Sequence, residues 1–204
     1  MKNFACGLKG AFAVVTLSFF VVTILTGCAK KIPHTLIPAY DKKQVRLIAV
    51  LPVEDQTNHP EVGKILRQEI LDALYFKQYP KIPLSLVDEK INAFYPGVKN
   101  PNPQTMPPRD AGGILGVHAV MYITLNECSS RCLIWLAQST IAARFQLYDV
   151  RTGELLWSTQ YRATDREFNI VRDWLKMDAV ALYSDLIEEI VKKVMNTLPD
   201  GPGL

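Results

Sequence analysis

Residues 11–24 carry no charge and lead into Leu25-Thr26-Gly27-Cys28, and this junction decides which part of the chain has to fold. Lys2 and Lys9 precede the apolar run and small Gly27 stands before the cysteine. That is the layout of a leader cut before Cys28. The run is shorter than the roughly 20 residues a membrane-spanning helix needs. The tetrad reads as a lipobox: the Cys28 thiol would take a diacylglyceryl group and its new amine an acyl chain. Several chains hold a protein far more firmly than one reversible chain does. Ala29, where an Asp would mark retention at the inner membrane, points to an outer-membrane anchor facing the periplasm.

Cutting there leaves residues 28–204, enough for one domain with a real core. The leader takes two of the 23 basic residues and none of the 20 acidic ones, so the net charge drops from +3 to +1. Near-neutrality gives no electrostatic case for nucleic acid or for a strongly anionic partner. With Cys6 removed and Cys28 acylated, Cys128 and Cys132 remain, spaced C-x3-C. An oxidising periplasm favours a disulfide between them. Free thiols are the alternative. A metal site would want two more soft or imidazole ligands, and His34, His59 and His118 are scattered.

Two prolines and three lysines in Ala29–Gln44 mark residues 28–44 as a lipidated tether, followed by a single domain over 45–204. Val45–Val53, VRLIAVLPV, has the near-continuous apolar character of a strand covered on both faces. Asn58 can cap a helix opened by Pro60, with Val62, Ile65, Leu66, Ile70, Ala73 and Leu74 at helical spacing. Ile82–Val87 reads as a second strand and Asp88 as the cap of a short helix through Phe94. Residues 95–108 form a Pro-, Asn- and Gly-rich loop, and a helix runs from Pro107-Pro108 to a cap at Gly116. Strands follow at 119–127, 133–150 and 154–162, with Cys128–Cys132 at a hairpin tip and a turn at Asp149–Gly153. A last helix spans about 178–198, burying Val180, Tyr183, Ile187, Ile190, Val191 and Val194. The order β-α-β-α-α-β-β-β-α gives an α/β (α+β) fold. Its mixed sheet has about five strands, the opening β-α-β forms a parallel pair, and helices pack on the sheet.

Candidate chemistry is sparse. Glu54, Asp55 and Thr57 follow the first strand, where open α/β sheets place ligand-binding residues, and define a possible small-ligand or glycan crevice. The simpler reading is a polar loop leading into the next helix. Asp110–Gly116 lacks the G-x-G-x-x-G order; Gly112 and Gly113 read instead as sites of close helix packing. No nucleophile with a base and an orienting group is identifiable, so neither catalysis, a metal nor a cofactor is expected. Trp157 belongs to a strand face in the core. Leu133, Ile134, Trp135 and Leu136 are four apolar residues in a row near a hairpin tip, which points to an oligomer or partner interface.

In order, the lipobox, LPVEDQTN (51–58), PLSLVDE (83–89) with GVHAVMYITL (116–125), and LYDVRTGELLW (147–157) resemble a family of uncharacterised proteobacterial lipoproteins. The Cys128/Cys132 segment and the proline-rich 95–108 stretch depart from the family pattern. The resemblance implies a fold like the N-terminal domain of TolB and an architecture similar to the periplasmic lipoproteins CsgG and LpoB. It further implies a non-catalytic role in a cell-envelope or secretion-linked assembly, with a CsgG-like lipoprotein or a second copy as partner.

Overall fold

The computed structural model describes residues 31–95, 105–133, 136–167 and 179–203. The chain divides into two units, Met1–Lys31 and Ile32–Leu204, and the fold is that of the second. Its strands are β1 (His34–Leu36), β2 (Ile48–Val50), β3 (Glu54–Asp55), β4 (Ala119–Leu133), β5 (Leu136–Asp149) and β6 (Leu155–Glu167). The helices are α1 (Pro60–Phe76), α2 (Leu84–Phe94), α3 (Pro108–Leu115) and α4 (Ala179–Met195). The six strands form one open mixed sheet in the order β1-β6-β5-β4-β2, with β3 also on β4. β2 and β3 run parallel to β4; β4, β5 and β6 form two antiparallel hairpins.

Alternation along the strands sorts side chains into two apolar layers. Met121, Ile123, Phe145, Leu147 and Trp157 join Leu66, Ile70, Ile187 and Ile190 beneath α1 and α4. Val120 and Tyr122 turn the other way, to Val87, Ile91 and Ala111 of α2 and α3. The expected faces of the two long helices hold: Val62, Leu66, Ile70 and Leu74 are buried on α1, and Tyr183, Ile187, Ile190, Val191 and Val194 on α4. Val180 lies outside the residues whose side chains are described.

Four expectations need correcting. Ile82–Val87 is no strand, because Leu84–Phe94 is one helix entered from Pro83. Its buried residues Val87 and Ile91 are four apart, a helical spacing that a short apolar run disguises as alternation. The parallel partner of β2 is therefore β4, reached only after three helices. Asp88 sits inside α2 rather than capping it. Asn58 takes φ 62° and leaves the N-cap of α1 to His59. Val45–Val53 is not one strand: Pro52 lacks the N–H that pairing needs, so the edge breaks between β2 and β3. Pairing resumes when the Gln56 N–H donates to the Leu125 carbonyl at 3.1 Å. Finally, residues 28–44 are not all tether. His34–Leu36 pairs with Trp157–Thr159, and Tyr40 is buried in the core.

The glycine readings divide. Gly116 caps α3 in the left-handed region at φ 71°, its N–H donating to the Gly112 carbonyl at 2.8 Å. A Cβ on Gly112 would overlap the Val150 side chain, whereas one on Gly113 meets nothing within 4 Å. Gly112→Ala should therefore cost about 2 kcal/mol by overpacking. Gly113→Ala should be neutral or gain up to about 1 kcal/mol from helix propensity. Urea midpoints of the two variants check the contrast.

Candidate functional site

The loop after β3 was the sequence's candidate crevice, and its polar atoms turn inward on the loop itself. Asp55 Oδ1 accepts from the Thr57 N–H at 2.8 Å and from the Thr57 hydroxyl at 2.6 Å. Glu54 Oε2 accepts from the Thr124 hydroxyl on β4 at 3.3 Å. The three residues are thus brought together, and Asp55 is spent on closing its own turn. His59 and Glu61, at 3.2 Å, begin the next helix. Among the described residues no group of three His, Cys, Asp or Glu side chains converges as a metal site would.

The cysteines are placed differently from the expectation of a hairpin tip. β4 runs unbroken through Cys128, opposite Ile141, and Cys132, opposite Ala137, to Leu133. Residues four apart on one strand are separated by about 13 Å, twice what a disulfide spans. Cys128 is a free, buried thiol. A register shift between Leu125 and Glu127 carries the inward face from Leu125 to Cys128. There the thiol bonds with the Tyr183 hydroxyl of α4; burial raises both pKa values, that of Tyr183 to about 12. On the opposite face Arg162 reaches Glu127 at 2.9 Å across the strand between them, an exposed pair worth little in stability.

The true hairpin end is the Leu133–Leu136 cross-strand pair. Ile134 and Trp135 lie outside the described residues. Where the chain enters the sheet, the Thr159 hydroxyl donates to the Pro33 carbonyl at 2.9 Å and ties the start of β1 to β6.

Two constellations escaped sequence reasoning. Arg67 is buried on α1, where its Nε and Nη2 donate to the Val50 carbonyl at 3.2 and 2.9 Å and its Nη1 meets Asp88 of α2 at 2.8 Å. Burial lowers the guanidinium pKa and Asp88 opposes that shift. The available signal was an arginine inside the apolar period of α1 combined with a proline breaking the preceding strand. Tyr40 and Tyr79 share a hydroxyl–hydroxyl bond of 2.9 Å, and Tyr79 donates on to the Pro199 carbonyl at 3.1 Å. Beside it Lys77 pairs with Asp200 at 2.5 Å, so both ends of the domain fasten to the end of α1.

An open mixed sheet with helices on both faces, entered at a short edge strand, defines a mixed α/β domain of the lipoprotein class. The chain belongs to the GNA1162-like family, described as "Putative lipoprotein GNA1162-like", which it matches over residues 37–202. The crystal structure of lipoprotein GNA1162 from Neisseria meningitidis is similar, at 24% identity and TM-score 0.55, over 74% of this chain and 98% of that one. A PelC dodecamer from Paraburkholderia phytofirmans is similar at 14% identity and TM-score 0.49, over 81% and 96%. The LpoB C-terminal domain from Escherichia coli matches at 17% identity and TM-score 0.39, over 62% and 93%. The likeness to GNA1162 supports the fold, and the family match carries the lipoprotein class. No curated protein matches.

Proposed function

We propose that the protein is a lipoprotein anchored through acylated Cys28 to the outer membrane and facing the periplasm. It serves as a non-catalytic interaction or assembly component of an envelope or secretion-linked complex. The observation that carries this is a lipobox six residues ahead of β1, in a chain whose domain matches a lipoprotein family. Membrane association then comes from acyl chains, and among the described residues no helix is long and apolar enough to cross a membrane. Leu133, Ile134, Trp135 and Leu136 form its contact strip at the hairpin end. A CsgG-like lipoprotein and a second copy of this chain are the protein partners to seek, by crosslinking in intact envelopes.

The test is Cys28→Ser. The variant should lose labelling by radioactive palmitate and move to the soluble fraction, its membrane-to-soluble ratio falling by about tenfold or more. A variant that still sediments with the membrane after a high-salt wash overturns the anchor.

A further inference from the structure

The short strand β1 fixes the direction from which the chain arrives, and with it the side of the domain on which the membrane lies. It pairs antiparallel with β6, His34 beside Thr159 and Leu36 beside Trp157. Residues ahead of His34 therefore arrive from the direction of Gln160 to Glu167. Pro33 is already held beside Thr159.

Cys28 stands five residues before Pro33, at most about 17 Å of extended chain. Along β6, Glu167 lies eight residues beyond Thr159, about 26 Å at strand spacing. Ala137 pairs with Glu167, and the Leu133–Leu136 pair lies one step further. Reaching the opposite end, the Asp149–Glu154 turn, would require the tether to reverse first. A reversal occupies about four residues and leaves too little chain for the return.

We propose that the hairpin end of β4 and β5 faces and enters the bilayer that holds the acyl chains of Cys28. The proposal rests on the anchor reading above and names the partner of the hairpin end: lipid. With the tether extended, the hairpin overshoots Cys28 by about 9 Å, the depth to which interfacial segments bury themselves below the headgroups, roughly 5–10 Å. Leu133 and Leu136 close that end. Arg131 and Arg166 are exposed just behind it, with Asp165 between them and the pair Arg162–Glu127. Basic side chains at that level suit lipid phosphates. A protein partner would have to displace the membrane from the end that the tether holds against it.

The acylated, full-length mature protein is placed in phosphatidylethanolamine–phosphatidylglycerol vesicles whose upper acyl positions carry bromine. A bimane label is attached at Arg131→Cys or at Arg151→Cys, in a Cys128→Ser, Cys132→Ser background. The label at 131 should be quenched about twofold relative to unbrominated vesicles and that at 151 by under about 10%. Adding Leu133→Ser and Leu136→Ser should weaken quenching at 131 while the protein still floats with the vesicles. Equal or stronger quenching at 151 overturns the orientation. So does a label at 131 shielded from both lipid bromine and aqueous iodide, which would mean protein covers that end. A protein that fails to float with vesicles refutes the anchor itself, so the two failures are told apart.

Discussion

Trp157→Ala is expected to remove about 4 kcal/mol of folding stability, toward the upper part of the range for deleting a buried aromatic. Trp157 has no exposed surface and lies where three strands meet, beside Leu36 of β1 and Leu147 of β5. Its indole Nε1 donates to the Thr197 hydroxyl at 3.1 Å, and that hydroxyl donates to the Val194 carbonyl at 2.7 Å. One side chain thus fills the layer under α4 and closes the helix's C-terminal end. Truncation opens a cavity between sheet and helix that the antiparallel β5–β6 pair cannot collapse to fill. A domain of this size holds about 5–15 kcal/mol in all, so the loss is a large share. Trp157→Phe keeps most of the volume and forfeits the hydrogen bond, so about 1–2 kcal/mol is expected. Urea denaturation followed by far-ultraviolet circular dichroism checks both without relying on the deleted fluorophore. A Phe variant as unstable as the Ala variant would mean that the indole bond, not the packing, carries the effect.

How far the sequence reveals this fold depends on the length of each signal. α1 and α4 each repeat the 3.6-residue period over four turns, and their buried faces follow from it. The turn at Asp149 was equally legible: its Oδ1 accepts from the N–H groups of Arg151 and Thr152 at 2.7 and 2.9 Å, and Gly153 takes φ 72°. Short elements were not. Ile82–Val87 holds too few residues to separate a period of 2 from one of 3.6. Ser129, Ser130 and Arg131 have weak strand preference, yet each is paired with β5 because the ladder continues past them. That misreading placed Cys128 and Cys132 at a tip and suggested a disulfide. His34–Leu36 was hidden between two prolines, and three residues form a strand only because β6 offers an unpaired edge. The lipobox was the most legible site because its chemistry requires a fixed tetrad. The orientation of the domain on its membrane was not legible, since it depends on which strand β1 joins and in which sense.

Arg67→Met is expected to cost about 3 kcal/mol, although the substitution keeps the side chain's length and apolar stem. The guanidinium works at the edge of the sheet. β2 is the outermost strand there and Pro52 stops it, leaving the Val50 carbonyl without a further strand to bond. Two Arg67 donors occupy that oxygen while a third reaches Asp88, so α1 and α2, on opposite faces of the sheet, are tied around one edge. Methionine leaves the buried carbonyl unsatisfied, which alone costs about 1–3 kcal/mol. Asp88 is 42% exposed and can rehydrate, so the broken ion pair adds less than it would for a fully buried partner. On this account Asp88→Asn should cost only about 1 kcal/mol. Arg67→Lys should recover little, because one ammonium cannot serve the carbonyl and the carboxylate with the same fork. Urea midpoints of the three variants decide between the roles. If Asp88→Asn is as damaging as Arg67→Met, the ion pair is the main link. If it is mild and Lys fails to rescue, the arginine is chiefly the cap of an open sheet edge, and that cap keeps the β2 edge from pairing with other chains.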